Sequence, residues 1–187
     1  AANLWLMLAT ETACNPGKWA DGTAFYSSTR KLGKATINNV VSGALSLSTY
    51  ETGRAQMMGF RDSAGNPLAL IPDTLMVGPT NESVAKSILA ADLVVVDGAT
   101  VSNVHKGEAT LIVNPFLVGD NAGKWFLMCT NRGVRPFAVQ KRKTGALQRW
   151  DKDSDTCVKE HNRNDYGIHY RGAAAGVGPH LVIGGNL

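Results

Sequence analysis

Apolar residues in this chain come in short runs, and glycine, proline, asparagine or aspartate interrupts each run before it grows long. The clearest example is Asn66-Pro-Leu-Ala-Leu-Ile-Pro-Asp-Thr-Leu-Met-Val-Gly-Pro79, in which Pro67, Pro72 and Pro79 bracket two apolar stretches. Thr74-Leu-Met-Val77 reads as a buried strand, because a four-residue apolar run closed by turn residues has strand length. Gly78-Pro79 ends it. Thr80 then predicts the N-cap of a helix carrying Val84, Ala85, Ile88 and Leu89 on one face, and Glu82 in its first turn suits the helix dipole. Upstream, Ser48-Thr-Tyr-Glu51 has the spacing of a capping box. Tyr50, Arg54, Met57 and Met58 follow at helical intervals as far as Gly59, which predicts a second helix. Residues 61–67 read as a turn.

Further along, residues 93–96, 110–113 and 125–129 are β-like runs bounded by Asp-Gly, Asn-Pro or Asn-x-Gly elements. The last third reads as antiparallel strands at 136–140, 146–150, 156–160 and 166–171. Helices and strands mix without a regular βαβ rhythm, so the fold class is α+β. No internal repeat is visible. The opening run Leu4-Trp-Leu-Met-Leu8 reads as the tail end of a buried element that begins before Ala1.

Composition narrows the class. The chain has 187 residues, enough to bury roughly 70% of its unfolded surface in a packed core. Apolar residues at 44% and charged residues at 18% belong to an ordinary globular protein and exclude a disordered chain. The apolar run at Leu4 to Leu8 is far short of the ~20 residues a membrane span requires. Cys14, Cys129 and Cys157 are odd in number and show no paired spacing, which argues against a disulfide framework and a four-ligand zinc site and favours a reducing compartment. The net charge is +4. The excess lies between Asn131 and Arg171, where ten Lys and Arg face five Asp and Glu.

Candidate chemistry is sparse. Ser83-Val-Ala-Lys86 followed by Lys143-Thr-Gly145 imitates two elements of serine β-lactamases, but no Ser-x-Asn element stands between them and the second sits in a predicted turn. Asp151-Lys-Asp-Ser-Asp155 begins like a calcium loop and then places Thr156 and Asn162 where an EF-hand needs Gly and Glu, so it reads as a polar hairpin turn. His161 and His169 near Cys157 match no standard ligand spacing. His105 and His180 have no nearby acid or thiol to make them bases. Gly172-Ala-Ala-Ala-Gly-Val-Gly178 lacks the ending of a phosphate loop and reads as a close-packed strand or turn. No catalytic, cofactor-binding or metal-binding residue is therefore assigned. The basic run Lys141-Arg-Lys143 remains open to three readings: a subunit contact, a solvated face or a weak nucleic-acid contact. As a subunit contact it would need acidic partners such as Glu82, Asp120 or Asp151 on a neighbour.

An ordered series of segments resembles the Mu-like phage major head subunit family, gpT. It comprises Ala20-Asp-Gly-Thr-Ala-Phe-Tyr26, Gly65-Asn-Pro-Leu68, Ile71-Pro-Asp-Thr-Leu-Met-Val77 and the helix from Pro79 to Leu89. Gly107-Glu-Ala-Thr-Leu-Ile-Val-Asn-Pro115, Trp125-Phe-Leu127, Arg135-Pro-Phe-Ala-Val-Gln-Lys-Arg-Lys143, Lys159-Glu160 and Tyr166-Gly-Ile-His-Tyr-Arg-Gly172 follow in the family's order. Residues 161–165 are an extra polar stretch, and residues 178–183 lack the aromatics usual near that family's end.

The resemblance implies the tailed-phage major capsid fold, with an axial and a peripheral domain. It places the N-terminal arm, the extended loop and most of the long helix ahead of Ala1, and Leu4 to Leu8 in the last turn or two of that helix. Residues 1–30 would then hold the end of the long helix and the start of the axial domain, 31–124 the axial domain, and 125–187 the peripheral sheet. The implied function is a self-assembling structural subunit of an icosahedral shell, without catalysis or cofactor. Copies would form pentamers and hexamers around packaged double-stranded DNA. A scaffold, protease or decoration protein would be a further partner, no membrane would be involved, and assembly in the bacterial cytoplasm would lead to the virion. Arg135, Lys141, Arg142, Lys143 and Trp150 are the candidate subunit-contact residues. A nucleic-acid-binding module and an encapsulin-like compartment shell are the alternatives.

Overall fold

Leu-rich and aromatic runs that alternate between two destinations build the centre of the structure, a computed structural model that describes residues 2–96, 98–150, 160–161 and 164–187. In chain order the elements are α1 (Ala2–Cys14), β1 (Arg30–Leu32), β2 (Ala35–Ile37), β3 (Val40–Val41), α2 (Leu47–Met58), β4 (Thr74–Val77), α3 (Glu82–Leu89) and β5 (Leu93–Val96). They continue with β6 (Ala99–Ser102), β7 (Thr110–Val113), β8 (Trp125–Met128), β9 (Phe137–Lys143), β10 (Leu147–Trp150), β11 (Asp165–Ile168), β12 (Arg171–Gly176) and β13 (Val182–Gly185). The α+β expectation holds.

The central sheet has the order β3-β13-β8-β4-β7. Its middle is antiparallel, and its two outer pairs, β3 with β13 and β4 with β7, are parallel. Side chains alternate across a strand, so each run feeds both faces. Leu75, Val77, Trp125, Leu127 and Ile183 pack with Tyr50 and Met57 of α2 and with Ala85, Ile88 and Leu89 of α3. Phe126, Met128 and Val182 turn the other way, onto Ala13 and Cys14 of α1, Phe25 and Leu117. Every residue of β8 and β13 is buried. A sheet covered on both faces explains why these strands read as continuous apolar runs and not as alternation.

Helix ends differ from the sequence reading. α2 begins two residues earlier than the expected Ser48 box: Ser46 is its N-cap, and Ser46 and Thr49 exchange side-chain and backbone hydrogen bonds. Ser46 and Thr49 supply the same reciprocal chemistry, which leaves Glu51 free to reach elsewhere. The predicted Thr80 cap lies inside a 3-10 turn, Pro79–Asn81, and Asn81 precedes α3 without a side-chain cap bond. Pro79 makes that tight turn favourable by presetting its backbone angle and giving up an amide that has no partner there. α1 is also longer than a last turn or two. It runs 13 residues to Cys14, roughly three and a half turns.

After β8 the chain leaves the central sheet for a two-stranded ribbon, β9 with β12, that continues into a second, β10 with β11. The single strand expected at 166–171 is two strands broken at His169-Tyr170. Most of the strand expected at 156–160, the Asp151–Asp155 loop, Cys157 and Asn162 lie outside the described residues. α1 packs along the β9–β12 ribbon. β13 then returns to the central sheet between β3 and β8. A boundary drawn between residues 124 and 125 therefore runs through this sheet, because β8 and β13 lie beyond it and pair with strands that precede it.

Candidate assembly surface

The β9–β12 ribbon is smooth on one side for a reason visible in its sequence. On β12, Gly172, Ala174 and Gly176 alternate with the exposed Ala173 and Ala175. A β-carbon at Gly172 would lie 2.4 Å from the Trp5 ring, and one at Gly176 2.5 Å from the Phe25 ring. The Gly-rich segment is thus a strand kept bare so that two aromatic side chains can lie on it, in agreement with its reading as a close-packed strand.

The opposite side carries charge. Lys143 stands opposite Arg171, and Lys141 opposite Gly172, so Arg142 is the extra residue of a β-bulge. A bulge re-aims the side chain it inserts. Gln140, Arg142, Arg171, Gly172 and Ala173 together line a shallow depression. Arg142, Lys143 and Arg171 are exposed, and among the described residues no acidic side chain forms an ion pair with them. Lys141 is used differently: its ammonium lies 5.5 Å above the Trp5 ring, a cation–π contact that ties β9 to α1. Arg135 is exposed just before β9. Trp150 is half-buried on β10 and covers Gly167 of β11, where a β-carbon would meet its ring at 2.8 Å. The structure therefore brings Lys141, Arg142 and Lys143 together with Arg171 and Gln140, which only the strand register reveals, and leaves Arg135 ahead of β9 and Trp150 on the second ribbon. Of the acidic partners considered above, Glu82 is held within its own helix by Lys86 at 2.6 Å, Asp120 is exposed on a 3-10 turn, and Asp151 lies outside the described residues.

A second charged cluster corrects the reading of His105. Its Nδ1 lies 2.7 Å from Glu108 and its Nε2 3.0 Å from Glu51 on α2, while Arg54 of α2 reaches Glu108 at 2.9 Å. Burial alone would lower the imidazole pKa, but hydrogen bonds and charge from Glu108 and Glu51 outweigh it, so the pKa is raised above the ordinary histidine value. A carboxylate at each nitrogen favours the imidazolium form, in which both nitrogens can donate. His105 clamps the loop after β6 to α2. His180 has its pKa lowered by burial.

The nucleophile-like Ser83 is exposed, and Lys86 bonds to Glu82 and not to Ser83. Cys14 and Cys129 are free and buried. Among the described residues no group of three or more His, Cys, Asp or Glu is disposed to hold a metal ion, and no helix is long and apolar enough to cross a membrane.

A family model, the Mu-like prophage major head subunit gpT, matches residues 36–117 and 118–182. No curated protein matches the chain. Among solved structures, the holo-SrpI encapsulin complex from Synechococcus elongatus PCC 7942 is similar, with 10% sequence identity and a TM-score of 0.46 over 79% of this chain and 52% of that one. The chain thus spans about half the length of that protein.

Proposed function

The chain belongs to the Mu-like prophage major head subunit gpT family, and on that premise we propose that copies of it assemble, as pentamers and hexamers, into a closed icosahedral shell around double-stranded DNA. Its role is structural, with no catalytic step, and its destination is the virion after assembly in the host cytoplasm. A shell subunit must meet a different surface of its neighbour at an angle that closes on itself, so its function resides in large heterologous interfaces.

The observation that carries this reading at the level of residues is the β9–β12 ribbon. Arg142, Lys143 and Arg171 are exposed members of the basic excess, sit on a ribbon stiffened by α1 and Trp5, and serve no ion pair among the described residues. Charges that do nothing for their own fold are available to select register and orientation at a neighbour. Arg135, ahead of β9, and Trp150, on the second ribbon, are further candidate contacts. The axial part of the subunit would comprise the central sheet with α2 and α3, including β8 and β13, and the peripheral part the two ribbons with α1.

The test is to express the complete gene product that contains this chain and examine it by negative-stain electron microscopy and light scattering. Closed, uniform shells are expected. Monomers alone, with a scaffold supplied and several salt concentrations tried, would overturn the reading.

A further inference from the structure

β5 and β6 pair with one another and, among the described residues, with no other strand, so both outer edges of this hairpin are open. Open edges are normally protected by a charge, a proline or a bulge. Leu-Val-Val-Val and Ala-Thr-Val-Ser have no charged residue or proline, and the ladder runs in unbroken register from Leu93↔Ser102 to Val96↔Ala99. Leu93 is 61% exposed and Val95 69%. Together with Val84, Ser87 and Ile88 of α3 and Leu47 of α2, they line an apolar groove between the hairpin and the helices.

The hairpin is held firmly at its base. Asn103, which follows β6 and is buried, donates its side-chain amide to the carbonyls of Ile88 at 2.8 Å and Ala91 at 2.9 Å, and its backbone amide to Asp92. The Gly107 amide bonds the Leu89 carbonyl at 2.9 Å. These bonds satisfy carbonyls that the end of α3 leaves open, and His105 adds the clamp to α2. An isolated two-stranded ribbon is marginal in water. Here one is anchored at its base with apolar side chains outward and both edges unpaired.

We propose that the β5–β6 hairpin and its groove with α3 are a subunit–subunit contact, covered in the assembled state by a second copy of this chain. The proposal rests on the reading of the chain as a self-assembling head subunit and names one of its interfaces. Charge selects the occupant. Among the described residues the charged groups at the rim are paired within the chain, Lys86 with Glu82 and Lys106 with Asp92. A second copy of the chain therefore meets no like-charge opposition here, whereas a nucleic acid finds the lysines of the rim among the described residues already paired. Contact through the open edge is a β-augmentation, with main-chain bonds giving affinity and Leu93 and Val95 giving register.

The experiment compares the complete gene product with its Leu93→Asp/Val95→Asp and Val95→Thr variants. Shell yield is read by electron microscopy, and folding of the free subunit by circular dichroism. The expected result is folded variant subunits with shell yield reduced by about tenfold or more for the double variant. In the unaltered protein, amide hydrogen exchange in residues 93–102 should slow by about tenfold or more on passing from free subunits to shells. Unaltered shell yield from the folded double variant, or equal exchange in subunits and shells, overturns the contact while leaving the head-subunit reading intact. Protection that arises only when a different protein is added also overturns it. Failure of the unaltered protein to form shells overturns the head-subunit reading itself. Should the double variant misfold, Val95→Thr and the exchange comparison decide the matter.

Discussion

Trp5 of α1 fills the space that a side chain at Gly172 of β12 would occupy: a β-carbon at 172 would stand 2.4 Å from the indole and 2.6 Å from the Gln140 carbonyl oxygen. The same ring receives Lys141 on one side and the edge of Tyr170 at 6.3 Å. α1 and the basic ribbon therefore behave as one unit. Gly172→Val must push the helix off the ribbon, and overpacking of this kind costs about 1–3 kcal/mol. Denaturant unfolding monitored by tryptophan fluorescence should show a lower midpoint; an unchanged midpoint would mean that α1 is free to move.

Arg142→Glu reverses charge at the bulge without removing any packing or ion pair among the described residues. Surface substitutions of this sort stay within about 0.5 kcal/mol in stability. Shell assembly should be impaired and partly restored by changes in salt, while the melting temperature of the subunit stays put. Normal shells from this variant would remove the ribbon from the list of contacts.

His105 makes stability pH-dependent with a definite sign. Its pKa is raised in the folded protein, so the imidazolium contributes fully below the unfolded value of about 6.5 and its contribution is lost as pH rises through the higher folded value. The stability difference between the unaltered protein and His105→Gln should be greatest near about pH 6 and shrink as pH rises through the mildly alkaline range. A difference constant across that range, measured by chemical denaturation, would contradict an imidazolium bridge between Glu51 and Glu108.

Asn103→Ala leaves two carbonyls at the end of α3, Ile88 and Ala91, without their donor. Buried groups left unsatisfied cost about 1–3 kcal/mol. The loss should be local, with faster amide exchange in β5 and β6 than in β8, because the central sheet does not depend on this residue.

Cys14 is buried, and burial raises its thiol pKa above the ordinary cysteine value. A thiol-specific reagent at neutral pH should therefore modify Cys14 in the native protein slowly, and quickly once α1 is detached in denaturant. Rapid native labelling, mapped by mass spectrometry, would show that the α1 C-terminus opens readily.

Much of the fold was legible because strands and helices are local patterns. Thr74–Val77, Thr110–Val113 and the start of β8 are apolar runs of strand length closed by Gly, Pro or Asn, and α2 ends at the Gly59 read from the sequence. β1, β2 and β3 escaped because two or three residues carry no period, and β13 because Gly184-Gly185 looks like a turn. Gly185 is in fact a strand residue kept bare for the Trp125 indole, to which a β-carbon there would approach within 1.9 Å. At the candidate surface, Lys141 to Lys143 stood out as a charge run. Arg171 joined them only through the register of β9 and β12.

The sequence by itself determined the α+β class, most central strands, both inner helices, the basic location of the charge and, through an ordered series of segments, the family. Tertiary structure alone decided which strands pair in the mixed sheet, that β8 and β13 belong with β4, that Arg142 sits at a bulge, and that the apolar β5–β6 run stands in the open. It also decided that His105 meets Glu51, a residue 54 positions away. The division follows from range: backbone preference and apolar period act over a few residues, whereas pairing, burial and ion-pair geometry depend on which distant segments the core brings together.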